Sequence, residues 1–368
     1  MKKNEELNRI HKQIAVWLVV CCITIFTIVL LGGATRLTGS GLSIPVMKVF
    51  KGVIPPLNQE EWKQAFHEYK ATPEYKKTYM SGGMDMKAYK SIFWLEYFHR
   101  LVGRFLAGII FFIPFIYFLI RYFFVHRVIA PSLIYKLILM FVLGGLQGLL
   151  GWIMVKSGMN SEIAYIQGHE VHVSPYRLTA HLALAFLIYA YIVRVILSIW
   201  PTKSQAVTDS STGWLKPFSW TLIGLLFLLI LSGGFVAGTQ GGLVYQSFPL
   251  MNGFIIPPDY FLLEPWYRNL FENRSAVQFD HRVLAYLVFL VTLVFWIIAL
   301  RKPITGRIKV LTHSVFLTVI LQVVLGVITL LTFVDKDTTT IFLATAHQAN
   351  ALILFTLFLW LNYEIKSD

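Results

Sequence analysis

Four histidines occupy matching places on four apolar segments, one in each: His99 in EYFHRLVGR, His181 in RLTAHLALAF, His281 in QFDHRVLAY and His347 in ATAHQANAL. Each segment is long enough to cross a bilayer, and each histidine lies near its start. An imidazole in hydrocarbon is costly without a partner, so intramembrane histidines are functional candidates by default. Four at one depth make two bis-histidine sites. Haem suits such sites best, because neutral imidazole is a common axial ligand to its iron. Internal symmetry pairs His99 with His181 and His281 with His347, although the spacing also admits pairing across the halves. Buried histidines that merely hydrogen-bond across helices are the bland alternative, and four equivalent positions argue against it.

The residues around these histidines refine the chemistry. Glu96 precedes His99 by three residues, so both share a helix face, whereas the aligned residue before His281 is Gln278. A carboxyl beside an apolar site can move protons or stabilise developing positive charge. The asymmetry assigns chemistry to the first half and a permanent electron-transfer haem to the second; a structural salt bridge from Glu96 to Arg100 is the competing use. Arg100, Arg104 and Arg282 accompany the histidines and suit bidentate pairing with haem propionates, or anchoring at the membrane edge. Asp280 beside His281 has no acidic counterpart; it either orients an imidazole or faces water. Gly144, Gly145, Gly148 and Gly151 form a small-residue stripe that would admit a broad planar ligand or a close helix neighbour. His169 and His172 in HEVH have metal-compatible spacing, but no third ligand is apparent.

The elements that must position these groups are helices. Of 368 residues, 56% are hydrophobic and only 14% charged, the composition of an all-α polytopic membrane protein. The net charge of +13 reads as basic flanks facing anionic lipid. Because the aromatics lie inside apolar spans, a nucleic-acid partner is excluded. Eight transmembrane helices are expected, near 14–34, 93–120, 135–155, 178–199, 217–236, 277–300, 310–333 and 340–362. The first is expected to be retained rather than cleaved.

The chain repeats itself weakly but in order. LGGATRLTGSGL (31–42) aligns with SGGFVAGTQGGL (232–243), GVIPP (52–56) with GFIIPP (253–258), QGLLG (147–151) with QVVLG (322–326), and the two TAH runs with each other. This predicts two pseudo-repeated four-helix bundles, residues 1–200 and 217–368, joined by a cytoplasmic linker at 201–216. Basic residues in the linker and short loops place both termini in the cytoplasm and the histidines toward the outer face. Of the two long outer loops, the first contains EEWKQAFHEYK after Asn58, read as a capped helix at the membrane interface with Trp62, Phe66 and Tyr69 on one side. YFLLEPWYRNLF offers a similar face in the second, so a lid over each half is one reading and membrane anchoring the other. Cys21 and Cys22 are adjacent and provide no disulfide framework.

GGATRLTGSGLS (32–43), GVIPPLNQEEW (52–62), FWLEYFHRLVGR (93–104), LGGLQGLLGW (143–152) and TAHQANAL (345–352) together resemble the haem A synthase family, membrane enzymes that supply haem A to cytochrome oxidase. The resemblance covers nearly the whole chain. It implies that Glu96, His99 and His181 belong to a substrate half that binds haem O, and that His281 and His347 hold a haem b cofactor. The reaction implied is oxidation of one haem O methyl to a formyl through an alcohol. Some members carry a cysteine pair in the first outer loop; this chain has none there and is similar to the cysteine-free type, found in mitochondria and in the cytoplasmic membrane of many bacteria. Haem O synthase, cytochrome oxidase assembly factors and an unidentified electron acceptor or donor are the partners implied, and self-association is compatible with the reading. The competing functions are a non-catalytic di-haem cytochrome b exchanging electrons with quinone, and a haem carrier.

Overall fold

The computed structural model describes residues 2–45, 53–79, 82–159, 165–166, 169–170, 173–200, 215–304, 306–333 and 338–365. Among them, eight helices are long and apolar enough to cross a membrane. In chain order these spans are Lys2–Leu37, Met86–Val125, Pro131–Gly158, Pro175–Ile199, Leu215–Thr239, Arg274–Leu300, Gly306–Thr332 and Thr338–Glu364. The first starts at Lys2 rather than 14 and the second at Met86 rather than 93, because a helix continues past the hydrocarbon once its polar residues reach water. The linker at 201–214, His172 and Lys336 lie outside the described residues. His169 falls in a two-residue strand, His169–Glu170, paired antiparallel with Tyr165–Ile166.

Contacts between spans close two rings. The first span packs on the second, the second on the third, the third on the fourth and the fourth on the first. The fifth to eighth spans close in the same order. The rings meet where the first span touches the eighth and the fourth touches the fifth and eighth. Tyr189 and Thr356 bridge that junction at 2.9 Å, and Gln348 donates to the Val29 carbonyl at 3.2 Å. Both rings also turn alike after their first helix: Gly39 (φ 67°) and its aligned partner Gln240 (φ 58°) adopt the left-handed conformation. Glycine takes this without penalty, and a polar side chain tolerates it better than a branched one.

The main hydrophobic core occupies one end of the bundle. Its buried members run from Ile10 to Val29 on the first span, begin at Phe111 on the second and Phe186 on the fourth, and begin at Phe295 and Leu352 on the sixth and eighth. They stop short of all four histidines. Side chains such as Ile113, Leu149, Leu317 and Val310 point outward, as a lipid-facing surface requires. Cys21 and Cys22 are buried and unpaired. One contact in the core follows from a single proline. Pro114 has no N–H, so the Ile110 carbonyl four residues earlier loses its helical donor. Trp17 Nε1 supplies the replacement at 2.7 Å, and the second span widens to π-helix over Leu106–Phe112.

The first long loop packs its helix on protein. Asn58 caps Gln59–Lys70 by accepting from Glu61 N at 2.9 Å, and Glu61 Oε2 accepts from Leu57 N at 2.7 Å. The aromatic face does not lie free on the membrane, as the interfacial reading would have it. Trp62 meets Phe93 edge-on at 4.8 Å, and Phe66 stacks on Tyr89 at 4.8 Å, because the second span extends outward far enough to offer its own aromatic stripe. The second loop differs: Phe261, Leu262, Trp266 and Tyr267 are exposed, and its backbone is organised by buried Asn269 and Asn273. Trp62→Ala should therefore destabilise the chain by about 3–5 kcal/mol, the usual cost of deleting a large buried aromatic. Thermal unfolding in detergent would read it, and an unchanged midpoint would mean the lid is not part of the folded core.

Candidate functional site

Each histidine ring faces a glycine on a neighbouring helix. A methyl group at Gly32 would lie 3.1 Å from His99 Nε2, and one at Gly151 would lie 2.9 Å from the His181 ring. In the other ring of helices the distances are 3.2 Å from Gly233 to His281 and 2.9 Å from Gly326 to His347. Gly32 aligns with Gly233 and Gly151 with Gly326, and each of the four faces a histidine ring. Gly33 and Gly234 extend it across the junction: the former meets Gln348, the residue after His347, and the latter meets Leu182, the residue after His181. His99 and His181 stand on helices of one ring, and His281 and His347 on helices of the other.

Polar partners hold the rings. Ser232 Oγ donates to the Leu229 carbonyl at 2.8 Å, which spends its only hydrogen. With that hydrogen on the carbonyl, Ser232 Oγ accepts from His281 Nδ1, 2.7 Å away, and Nε2 keeps a free lone pair. From the seventh span, Gln322 Nε2 donates to the His347 carbonyl of the eighth at 3.1 Å and lies 3.2 Å from both ring nitrogens. Gln147 does the same to His181, at 3.0 Å from the carbonyl and 3.2–3.3 Å from the ring. Asn350 then fixes Gln322, donating to its Oε1 at 2.7 Å and to the Thr318 carbonyl at 3.1 Å. Gln147 Oε1 is buried with no hydrogen-bond partner.

Glu96 lies one turn before His99 and is buried, at 2% exposure. Its carboxylate accepts from Arg100, from Ser43 Oγ at 2.6 Å and from Ile44 N at 2.9 Å. The salt bridge that sequence reading set against a chemical role is present, and it clamps the chain leaving the first span. Arg100 also donates to the Ile44 carbonyl at 3.0 Å. The aligned Arg282 donates to the Tyr245 and Ser247 carbonyls at 3.0 and 2.9 Å, and Gln278 donates to Tyr245 at 2.9 Å. Both arginines therefore spend donors on loop backbone, at matching positions. Arg282 Nε remains buried and unpartnered, as do Arg36 Nε and Arg274 Nε, which sequence reading did not single out. Arg104 lies one turn beyond Arg100, partly buried. Asp280 accepts from Tyr260 at 2.9 Å; burial and this carboxylate push the Tyr260 hydroxyl up to about 12, so it remains a donor at any physiological pH.

These residues fit haem. Imidazoles, one of them beside a serine hydroxyl, face glycines that leave each ring clear, and the stripe at Gly144, Gly145 and Gly148 opens onto free space. Of the polar residues that hold the rings, Gln147 and Gln322 match each other in the aligned motifs, whereas Ser232 and Asn350, though inside quoted motifs, stand opposite leucines and were not singled out. A side chain at Gly326 should displace the His347 ring. Gly326→Val should lower second-half haem content about tenfold, the scale of an overpacking cost. Gly224→Val, which meets open space, should not. Equal haem absorbance per chain in both variants would refute the ring-clearance role.

The comparisons extend this picture. The profile of the family described as cytochrome oxidase assembly protein matches residues 15–359. A Nitrosospira multiformis protein named heme A synthase is 44% identical over 365 residues, covering 99% of this chain and 97% of the relative. A protein of the same name from Nitrosomonas eutropha is 44% identical over 364 residues, 99% and 96% of the two chains. One from Wolbachia pipientis wMel is 38% identical over 358 residues, 96% and 93%. A chain matched from its first span to its last, with relatives at this identity over nearly their full length, belongs to the cytochrome oxidase assembly protein family.

Proposed function

We propose that the chain is a haem A synthase, which oxidises a methyl group of haem O to a formyl through a hydroxymethyl intermediate. The observation that carries this reading is the chemical inequality of two similarly placed histidine pairs. Electron transfer alone does not call for an ionisable Glu96 where the other half has Gln278, and the relatives' names support the catalytic reading. His99 and His181 hold the substrate haem O in the first half. His281 and His347 hold haem b in the second, in a site whose tautomer and amide network suit a resident group. When bound, haem supplies the redox chemistry that an unactivated methyl C–H requires.

The protein's own groups do the rest. Glu96, one turn from His99, stabilises positive character at the reacting carbon or holds the proton it releases. Arg100, Arg104 and Arg282 contribute to propionate binding, and buried Arg36 and Arg274 offer further uncommitted nitrogens. The aromatic lid excludes water from the first half. The two halves are domains of common design joined by the linker, set in a bacterial cytoplasmic membrane with both termini inside and the haem sites toward the outer face. Haem O synthase and oxidase assembly factors are its natural neighbours.

Haem extraction and chromatography test the reading, with the chain expressed in a host that makes haem O and no haem A. Haem A or its hydroxylated intermediate beside haem b is the expected result. Haem b alone, with haem O available, would leave an electron-transfer cytochrome.

A further inference from the structure

We infer that the two haem positions are built for different residence times, and that Leu31 and Leu184 make the first-half imidazoles releasable where Ser232 and Asn350 lock those of the second. The inference rests on the assignment of substrate to the first half and cofactor to the second. Its ground is a pair of substitutions at equivalent places. Gly32 and Gly233 both face a histidine, so the residues just before them, Leu31 and Ser232, correspond. Leu184 and Asn350 each follow their histidine by three residues.

The consequence is mechanical. A flat ligand clamped between two imidazoles leaves only when a ring swings aside. For His281 that swing breaks the hydrogen bond to Ser232. For His347 it disturbs an amide fixed at both ends, since Asn350 ties Gln322 to the Thr318 carbonyl of its own helix. In the first half one end of the amide is uncommitted. Gln147 keeps its bond to the His181 main-chain carbonyl, but its Oε1 is buried without a partner, so the side chain can turn with the ring. A buried oxygen in that state is unfavourable at rest, and motion that brings it to a donor is rewarded. An enzyme that must surrender its product needs this asymmetry; a symmetric cytochrome does not.

The test measures haem transfer from the loaded, full-length chain in detergent to excess apomyoglobin, with each released haem identified by chromatography. In the wild type, haem O and its oxidised products should leave before haem b. Leu31→Ser combined with Leu184→Asn should slow their release about tenfold, the scale of two added net hydrogen bonds, and leave haem b unchanged. Ser232→Ala combined with Asn350→Leu should speed haem b release by a similar factor. The second pair removes polar groups rather than adding them, so it tests the lock even if the first pair folds poorly. Equal release of both haems by the wild type, or twofold or smaller changes in the Ser232/Asn350 variant, would overturn the inference. Haem b alone on the wild type, with haem O supplied, would instead count against the proposed function, and the Ser232/Asn350 variant would still report on the lock.

Discussion

His347→Ala empties the second-half haem site while the chain stays folded: this is the outcome expected from the geometry. If the imidazole holds haem b, as the proposed function has it, losing it should reduce haem b content by at least about 100-fold, more than outer partners usually cost. The fold should survive because Gln322 bonds the main-chain carbonyl of residue 347 as well as the ring, so the seventh and eighth spans remain tied. The glycine opposite leaves no side chain to collapse into the gap. First-half loading should persist, since His99 and His181 sit on other helices. The extracted haem should therefore be haem O without haem A, and thermal unfolding should shift only modestly. Wild-type haem b content in this variant would remove His347 from the ligand set and with it the pairing within halves.

The histidines were legible in the sequence for a physical reason. Hydrocarbon penalises an unpaired imidazole, so each one stands out against an apolar background, and the repeat gives it a partner position. The eight spans were legible from length and hydropathy, with ends short by several residues because helices outlast the membrane. The fate of the aromatic face on Gln59–Lys70 was not. An amphipathic helix looks the same whether its apolar side meets lipid or protein, and only the outward extension of the second span decides it. Ser232 and Asn350 were hidden for the opposite reason to the histidines. A small polar residue in a span is unremarkable until a neighbouring helix shows what it holds. The same is true of Gly32 and Gly326, which stand in the aligned segments with no role of their own until a ring is found in front of them.

Glu96→Ala should block haem A formation and leave the second-half haem bound. On the proposed function the carboxylate has two roles that the variant removes together. One is structural: Glu96 compensates Arg100, itself only 10% exposed, and accepts from Ser43 and Ile44 N. Stranding a buried guanidinium costs about 3–5 kcal/mol. The other is chemical, and loss of a positioned acid or base typically costs about 100-fold or more in rate. Ser43→Ala separates them. It deletes one bond of the clamp, about 1 kcal/mol, and leaves the carboxylate and Arg100 in place. If the clamp alone mattered, product formation should fall with stability across both variants. A chemical role instead predicts near-normal haem A from Ser43→Ala and none from Glu96→Ala, with second-half haem intact in each. The clamp is also local, since it joins the first and second spans and touches no residue of the sixth to eighth. Haem A at wild-type yield from Glu96→Ala would end the catalytic assignment. Loss of both haems from that variant would show that the clamp, rather than the chemistry, is what the carboxylate supplies.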